Sequence, residues 1–259
     1  MMFKNYLIIG ADTCIGYALC KRLMIEKEFC IWGINTRFNH YGNKCFQYAF
    51  NRNVYDEVEV YENNNCRSYL MDKSYDAVFW CDAIWTEEED AAIYSRVTRF
   101  FQIMDGIKYQ KLFFWVREAE NVDGVEPKLP IDKSVGIKIP NVYGIYQEKG
   151  DIIPRIILND KTEEFCNSEA FERFLSAWSI AEAVIDNHFT DLQEYTFSLP
   201  LKNLVLLLEN MKKNEMPDFQ VCRELLWTDD EGKARKIIYY LLEAIEFYTS
   251  NERYYRKKE

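Results

Sequence analysis

Residues Tyr6 to Leu23 read YLIIGADTCIGYALCKRL, and the interpretation of the whole chain starts from them. The run Tyr6-Leu-Ile-Ile is short, apolar and typical of a buried strand. Gly10 and Gly16 then bracket a tight turn, after which apolar residues recur at the spacing of a helix. The stretch therefore predicts a strand, a glycine turn and a helix at the start of the chain.

A turn of this kind sets the amides of a helix N-terminus against the pyrophosphate of a dinucleotide. The stretch thus favours a cofactor site for NADP or NAD. The residues that would line this site are those of the turn itself: Gly10, Asp12, Thr13, Cys14, Ile15 and Gly16.

Two residues of the turn depart from what pyrophosphate binding favours. Thr13 stands at the middle position, where a glycine lets the backbone approach the phosphates and a Cβ crowds them. Asp12 adds a carboxylate where a helix N-terminus attracts anions, so it opposes the helix dipole. Two alternatives therefore stay open, a turn that still binds a nucleotide and a strand-turn-helix that no longer does.

The tip of the second predicted strand, Phe29–Ile34, bears on the choice of cofactor. An acid at this tip holds the ribose hydroxyls of NAD, whereas a cation suits the extra phosphate of NADP. Here the tip reads Asn35-Thr36-Arg37, with no acid. If a cofactor binds, Arg37 favours NADP; the alternative is a solvated surface arginine.

Composition restricts the classes of partner. The chain has 259 residues and a formal net charge of -10, which disfavours nucleic acid and anionic membranes as partners. We expect no signal peptide from the first residues, Met1–Lys4, and no membrane span, since no apolar run approaches about 20 residues. The 8 cysteines have no paired spacing, which indicates reduced thiols and a cytoplasmic protein. With only 2 histidines, far apart, we expect no metal site.

Strand and helix patterns alternate along the first part of the chain. Further strands are predicted at Cys66–Met71, Tyr75–Cys81, Lys111–Val116 and Val135–Val142. A helix over residues 87–105 is predicted between the second and third of these, and no long helix between the last two. The pattern predicts an α/β fold, a Rossmann-like doubly wound parallel sheet with a smaller mixed C-terminal region.

The C-terminal part is expected to mix strands and helices. Helices are predicted at Leu201–Met211 and Ala234–Tyr248, and the basic tail Arg253–Lys258 is expected to fray. We assign residues 1–145 to the Rossmann-like region and residues 146–259 to a smaller α+β region packed on it, which together can count as one domain.

Five stretches in order resemble the extended short-chain dehydrogenase/reductase family, the NAD-dependent epimerase/dehydratases that act on nucleotide sugars. The turn from Gly10 to Gly16 is similar to the family's GATGFIG, and Tyr75–Ala83 to its fourth strand. Asn141–Gly144 matches NVYG, Asp151–Pro154 the segment that follows, and Arg173–Ala183 is similar to RDFIHVDDVAEA. The resemblance implies a nucleotide-sugar ligand and the fold predicted above.

The catalytic groups that the resemblance implies are absent from their places. The family uses a tyrosine, a lysine four residues later that lowers its pKa, and a Ser or Thr at the end of the fifth strand. That strand here ends Trp115-Val116-Arg117, and residues 117–134 contain no tyrosine. Tyr-x-x-x-Lys spacings elsewhere, such as Tyr17/Lys21, are interpreted as chance. The same loss removes half of the family's usual dimer interface, so that dimer is in doubt.

These losses favour a catalytically impaired, degenerate NAD(P)-binding protein that acts as an accessory or regulatory protein. One alternative is an active nucleotide-sugar enzyme with relocated groups, for which Tyr143, Lys138, Asp82 and Glu118 are candidates. Another is an interaction protein whose pocket is filled by side chains such as Thr13, Trp80 and Trp115. The catalytic residues, the substrate and any protein partner stay unassigned.

Overall fold

The computed structural model describes residues 4–25, 29–34, 70–85, 101, 104–117, 133–147, 151–158, 173–186, 198–213, 219–226 and 230–256. Its strands are β1 (Lys4–Ile9), β2 (Phe29–Ile34), β3 (Ser74–Trp85), β4 (Lys108–Arg117), β5 (Ser134–Ile139), β6 (Asn141–Tyr143), β7 (Arg173–Ser176) and β8 (Ser198–Pro200). Its helices are α1 (Cys14–Ile25), α2 (Ile152–Leu158), α3 (Ala177–Ile185), α4 (Leu201–Lys212), α5 (Phe219–Leu226), α6 (Glu231–Ser250) and α7 (Glu252–Arg256).

Five strands form the main sheet, in the order β2-β1-β3-β4-β5. All four neighbouring pairs are parallel, which confirms the α/β sheet predicted from the alternating pattern. The central strands carry apolar side chains on both faces, because helices cover both sides of a parallel sheet. Residues 77–81 of β3 and 112–115 of β4 are accordingly all buried.

A second sheet of three strands has the order β6-β7-β8, with β6 parallel to β7 and β8 antiparallel to it. It corrects one sequence prediction, since residues 135–142 are not one strand. Strand β5 ends at Ile139 in the main sheet and β6 begins at Asn141 in the small one. Pro140 stands between them; it has no N–H for a ladder hydrogen bond, which favours a strand end there.

The buried core is continuous through both parts of the chain. One cluster joins Ile8 and Phe113 of the main sheet to α1, and extends to α3, α4 and α6 through residues such as Ile180, Leu204 and Leu241. The division at residue 145 stays a prediction. Within the described residues, no helix combines the length and the apolar character that a membrane crossing requires.

Other sequence predictions have mixed outcomes. The helices at 201–211 and 234–248 are confirmed by α4 and α6, and the strand at 29–34 by β2. Leu70 and Met71 are helical, so the strand predicted to end there is wrong at those two residues. The tail does not fray at residues 253–256, which belong to α7. Residues 86–100 and 118–132 lie outside the described residues.

Candidate functional site

The glycine turn between β1 and α1 has the tight geometry that the sequence predicts. Gly10 has a φ of 82°, a left-handed conformation that glycine adopts without strain. A Cβ added to Gly16 would lie 2.0 Å from the carbonyl oxygen of Gly10. Both glycines are therefore needed for the helix to approach the strand closely.

The side chain of Thr13 forms hydrogen bonds within the turn. Its Oγ1 donates a hydrogen bond to the carbonyl oxygen of Gly10, at 2.7 Å, and accepts one from the amide of Gly16, at 3.2 Å. Thr13 is thus the N-cap of α1, because its side chain satisfies an amide of the first helical turn. That amide belongs to the group of helix N-terminal donors that a bound phosphate would otherwise use.

The turn is covered by the chain itself. Asp12 is 4% exposed and Thr13 is 2% exposed, and the neighbouring Ala11 and Ile15 are also buried. Cys14 is partly exposed. Asp12 therefore lies inside the protein, next to the first residues of α1. Its carboxylate contributes to the raised pKa of Cys20, after burial itself and the nearby Cys81 thiol.

Two tryptophan side chains of the main sheet are fully buried. Trp80 and Trp115 are both 0% exposed. The indole Nε1 of Trp115 donates to Sγ of Cys81 on the neighbouring strand, at 3.4 Å. Trp115 stands near the end of β4, where the resemblance implies a Ser or Thr that orients the substrate hydroxyl. A buried indole bonded to a thiol cannot take that role.

Of the four candidates for relocated catalytic groups, the structure describes the side chains of Tyr143 and Lys138. Tyr143 is 0% exposed, and burial raises its pKa, against the smaller opposite effect of the Ser176 hydroxyl. Lys138 is exposed on β5. The side chains of Asp82, Glu118 and Arg37 lie outside what the structure describes. A buried phenol with a raised pKa is a poor base at neutral pH.

The Tyr17/Lys21 spacing has a structural role. The ammonium group of Lys21 pairs with Glu243 of α6 and lies 5.8 Å from the centre of the Tyr17 ring and 5.2 Å from that of Trp178. Burial, followed by the charge of Glu243, raises the pKa of Tyr17. The lysine therefore joins α1 to α6 and does not activate the tyrosine.

Sequence reasoning missed the segment that packs against the first residue of α1. Residues 144–147 follow β6, and a Cβ on Gly144 would lie 2.8 Å from Sγ of Cys14. Two tyrosines from the end of the chain, Tyr248 and Tyr255, hydrogen-bond to this segment. The only sequence signal was Asn141–Gly144, which is similar to the NVYG stretch of the family. Among the described residues, no cluster of acidic, histidine and cysteine side chains could hold a metal ion.

Comparison with known proteins identifies the fold. No family model and no curated protein sequence matches the chain. Solved structures do match: UDP-glucuronic acid 4-epimerase from Bacillus cereus, in complex with UDP-glucuronic acid and NAD, has a TM-score of 0.58 at 13% identity. That match covers 95% of this chain and 99% of the epimerase.

Two further structures give the same result. The enzyme WbmF of Bordetella bronchiseptica, in complex with NADH, has a TM-score of 0.56 at 14% identity over 98% of this chain and 95% of its own. An epimerase of Methanothermobacter thermautotrophicus has a TM-score of 0.56 at 12% identity, over 99% and 95%. The chain has the fold of the NAD-dependent nucleotide-sugar epimerases, which confirms the fold that the sequence resemblance implied.

Proposed function

We propose that this chain is a catalytically impaired protein on the epimerase fold, acting as an accessory or regulatory protein, with a pyrophosphate position closed by Thr13. The observation that carries the proposal is the pair of hydrogen bonds at Oγ1 of Thr13, which donates to the carbonyl oxygen of Gly10 and accepts from the amide of Gly16. A dinucleotide bound as the glycine turn predicts would have to compete with this N-cap for the Gly16 amide and displace a buried side chain.

The chemistry of the neighbouring residues supports loss of catalysis. Hydride transfer on a sugar requires a base whose pKa is brought close to neutrality by a cation. Tyr143 has a raised pKa, and Lys21, which lies 5.8 Å from the centre of the Tyr17 ring, is paired with Glu243. Trp115 stands near the end of β4, where the sequence resemblance implies a hydroxyl that orients the substrate. Among the described candidates for relocated catalysis, the buried Tyr143 therefore does not provide such a base.

Retained NAD(P) binding is the second candidate, and the conformation of the turn favours it. Gly10 and Gly16 keep the close approach of strand and helix that a pyrophosphate-binding turn uses. In that case the binding residues are the turn from Gly10 to Gly16 with Arg37, and the arginine selects NADP. A nucleotide sugar is then the expected second ligand, and a cytoplasmic protein partner the expected target of regulation.

Calorimetry with NAD, NADH, NADP, NADPH and a panel of UDP-sugars tests the proposal. We expect no binding by the wild type at ligand concentrations up to about 1 mM. Thr13→Gly removes the side chain at a helix N-cap position that glycine tolerates, so it should create dinucleotide binding. Thr13→Ser is the matched control, because it keeps the hydroxyl and the Cβ. This variant should not bind a dinucleotide.

Each outcome has a distinct meaning. Micromolar binding by the wild type would overturn the closed turn, and its loss in Arg37→Ala would support the NADP candidate. Binding only by Thr13→Gly would support the proposal. If no variant binds, Thr13 is not what excludes the ligand, and the interaction protein with a filled pocket becomes the better account.

A further inference from the structure

The end of the chain holds the loop that follows β6. Oη of Tyr248 donates to the carbonyl oxygen of Gly144, at 2.8 Å, and accepts from the amide of Gln147, at 3.0 Å. Oη of Tyr255, in α7, donates to the carbonyl oxygen of Gln147, at 3.1 Å. We call Tyr248 and Tyr255 the C-terminal clamp and residues 144–147 the clamped loop. Both clamp side chains are buried. Breaking these hydrogen bonds therefore costs free energy, because water cannot readily take the place of the lost partners.

One residue of the clamped loop, Tyr146, has an unfavourable backbone conformation. Tyr146 has a φ of 62°, which is uncommon for a residue with a Cβ and persists where the surroundings enforce it. Its ring packs between two others, with centres 4.9 Å from Tyr17 and 4.7 Å from Phe247. Phe247 precedes Tyr248 on α6, so the same helix holds the loop by packing and by hydrogen bonds.

The clamped loop also contacts the start of α1. A Cβ on Gly144 would lie 2.8 Å from Sγ of Cys14 and 3.3 Å from Cβ of Ala177, so the clamped loop packs closely against the start of α1 and of α3. Cys14 lies close enough to Tyr248 to contribute to the raised pKa of that tyrosine, after burial and Tyr255. The loop, the clamp and the first residue of α1 are thus one packed unit.

We infer that docking of α6 and α7 controls access to the N-terminus of α1: the C-terminal clamp holds the clamped loop against the partly exposed Cys14, and release of the clamp lets the loop relax and increases the exposure of that residue. The inference does not depend on whether a dinucleotide binds. It couples the last helices of the chain to the glycine turn, which lies more than 200 residues earlier in sequence. The clamp is therefore the part of this fold through which a partner of the C-terminal helices could alter the turn.

Alkylation of the cysteines by N-ethylmaleimide, mapped by peptide mass spectrometry, tests the inference. Tyr248→Phe removes the hydroxyl that bonds Gly144 and Gln147, and Tyr255→Phe removes the bond to the Gln147 carbonyl. Loss of a buried hydrogen bond should raise the rate at Cys14 by about tenfold in Tyr248→Phe, and by less in Tyr255→Phe. Tyr239→Phe is the control, because Tyr239 is on the same helix and is 60% exposed.

Cys20 and Cys81 are internal reporters of global opening, since both lie in the core of the sheet and α1. A rate increase confined to Cys14 in the two clamp variants supports the inference. An equal increase at all three cysteines, or no increase beyond that of Tyr239→Phe, overturns it. If the clamp variants do not fold, hydrogen exchange on the wild type decides: protection of the Gln147 amide supports the clamp, and exchange as fast as in an open loop overturns it.

Discussion

Replacement of Gly16 by alanine tests the packing on which the whole amino-terminal unit depends. The new Cβ would lie 2.0 Å from the carbonyl oxygen of Gly10 and 2.8 Å from its carbonyl carbon. Ordinary contacts begin at about 3.4 Å, so α1 and β1 would have to separate by about 1.4 Å. The obstructing atoms belong to the backbone, so no change of rotamer relieves the clash.

The magnitude follows from what that separation would disturb. Residues of α1 such as Leu19 and Leu23 are 0% and 1% exposed and pack against the sheet. Overpacking a core usually costs about 1–3 kcal/mol, and here the main chain has to move. Alanine is about 1 kcal/mol better than glycine inside a helix, which offsets part of the cost. With the cost at the upper end of that range and the helix-propensity gain subtracted, we expect Gly16→Ala to lower the free energy of unfolding by about 2 kcal/mol.

Urea denaturation followed by far-ultraviolet circular dichroism and by tryptophan fluorescence measures this change. Gly232→Ala is the matched control, because Gly232 is exposed in the first turn of α6 and a Cβ there meets only a side-chain oxygen, Oδ1 of Asp230, at 3.2 Å. The control should change the free energy of unfolding by less than about 1 kcal/mol. A Gly16→Ala variant as stable as the control would refute the close-packing argument for the turn.

Two further predictions concern a helix cap and the buried tyrosines. Asp230→Ala should lower the free energy of unfolding by about 1 kcal/mol, because Oδ1 of Asp230 accepts a hydrogen bond from the amide of Lys233 at the start of α6. Thermal denaturation measures this loss. Asp230→Asn is the control and should keep most of the wild-type stability, since an asparagine oxygen can also accept this bond. Burial raises the pKa of Tyr143 and Tyr248 above 10.0, so their contribution to stability is complete below pH 10 and is lost as the pH rises from there towards their folded-state pKa values. In a spectrophotometric titration their ionisation should coincide with loss of the far-ultraviolet signal, and full ionisation of the 18 tyrosines with that signal intact would contradict the prediction.

The candidate site was predicted only in part. The turn residues and their departure at Thr13 were visible in the sequence, because the glycine spacing is local. The direction of the Thr13 side chain was not, since a threonine at this position can crowd a ligand or turn back and cap the helix. The sequence predicted the position of Asp12 beside the helix N-terminus but not its burial, which depends on packing of the whole fold. Arg37 stays a prediction.

The sequence by itself determined the β1–turn–α1 unit, the parallel sheet and the long helices α4 and α6. Each depends on a repeat of apolar residues or on a glycine spacing within about 20 residues, and such patterns reflect local backbone geometry. Pro140 favours a strand end within residues 135–142, but tertiary structure alone decided that the residues after it join a second sheet and that Tyr248 and Tyr255 bind the loop at residues 144–147. The bond from Tyr248 to Gly144 spans 104 residues, and no local pattern records a contact of that kind, because its partners meet only after the sheets and helices have packed.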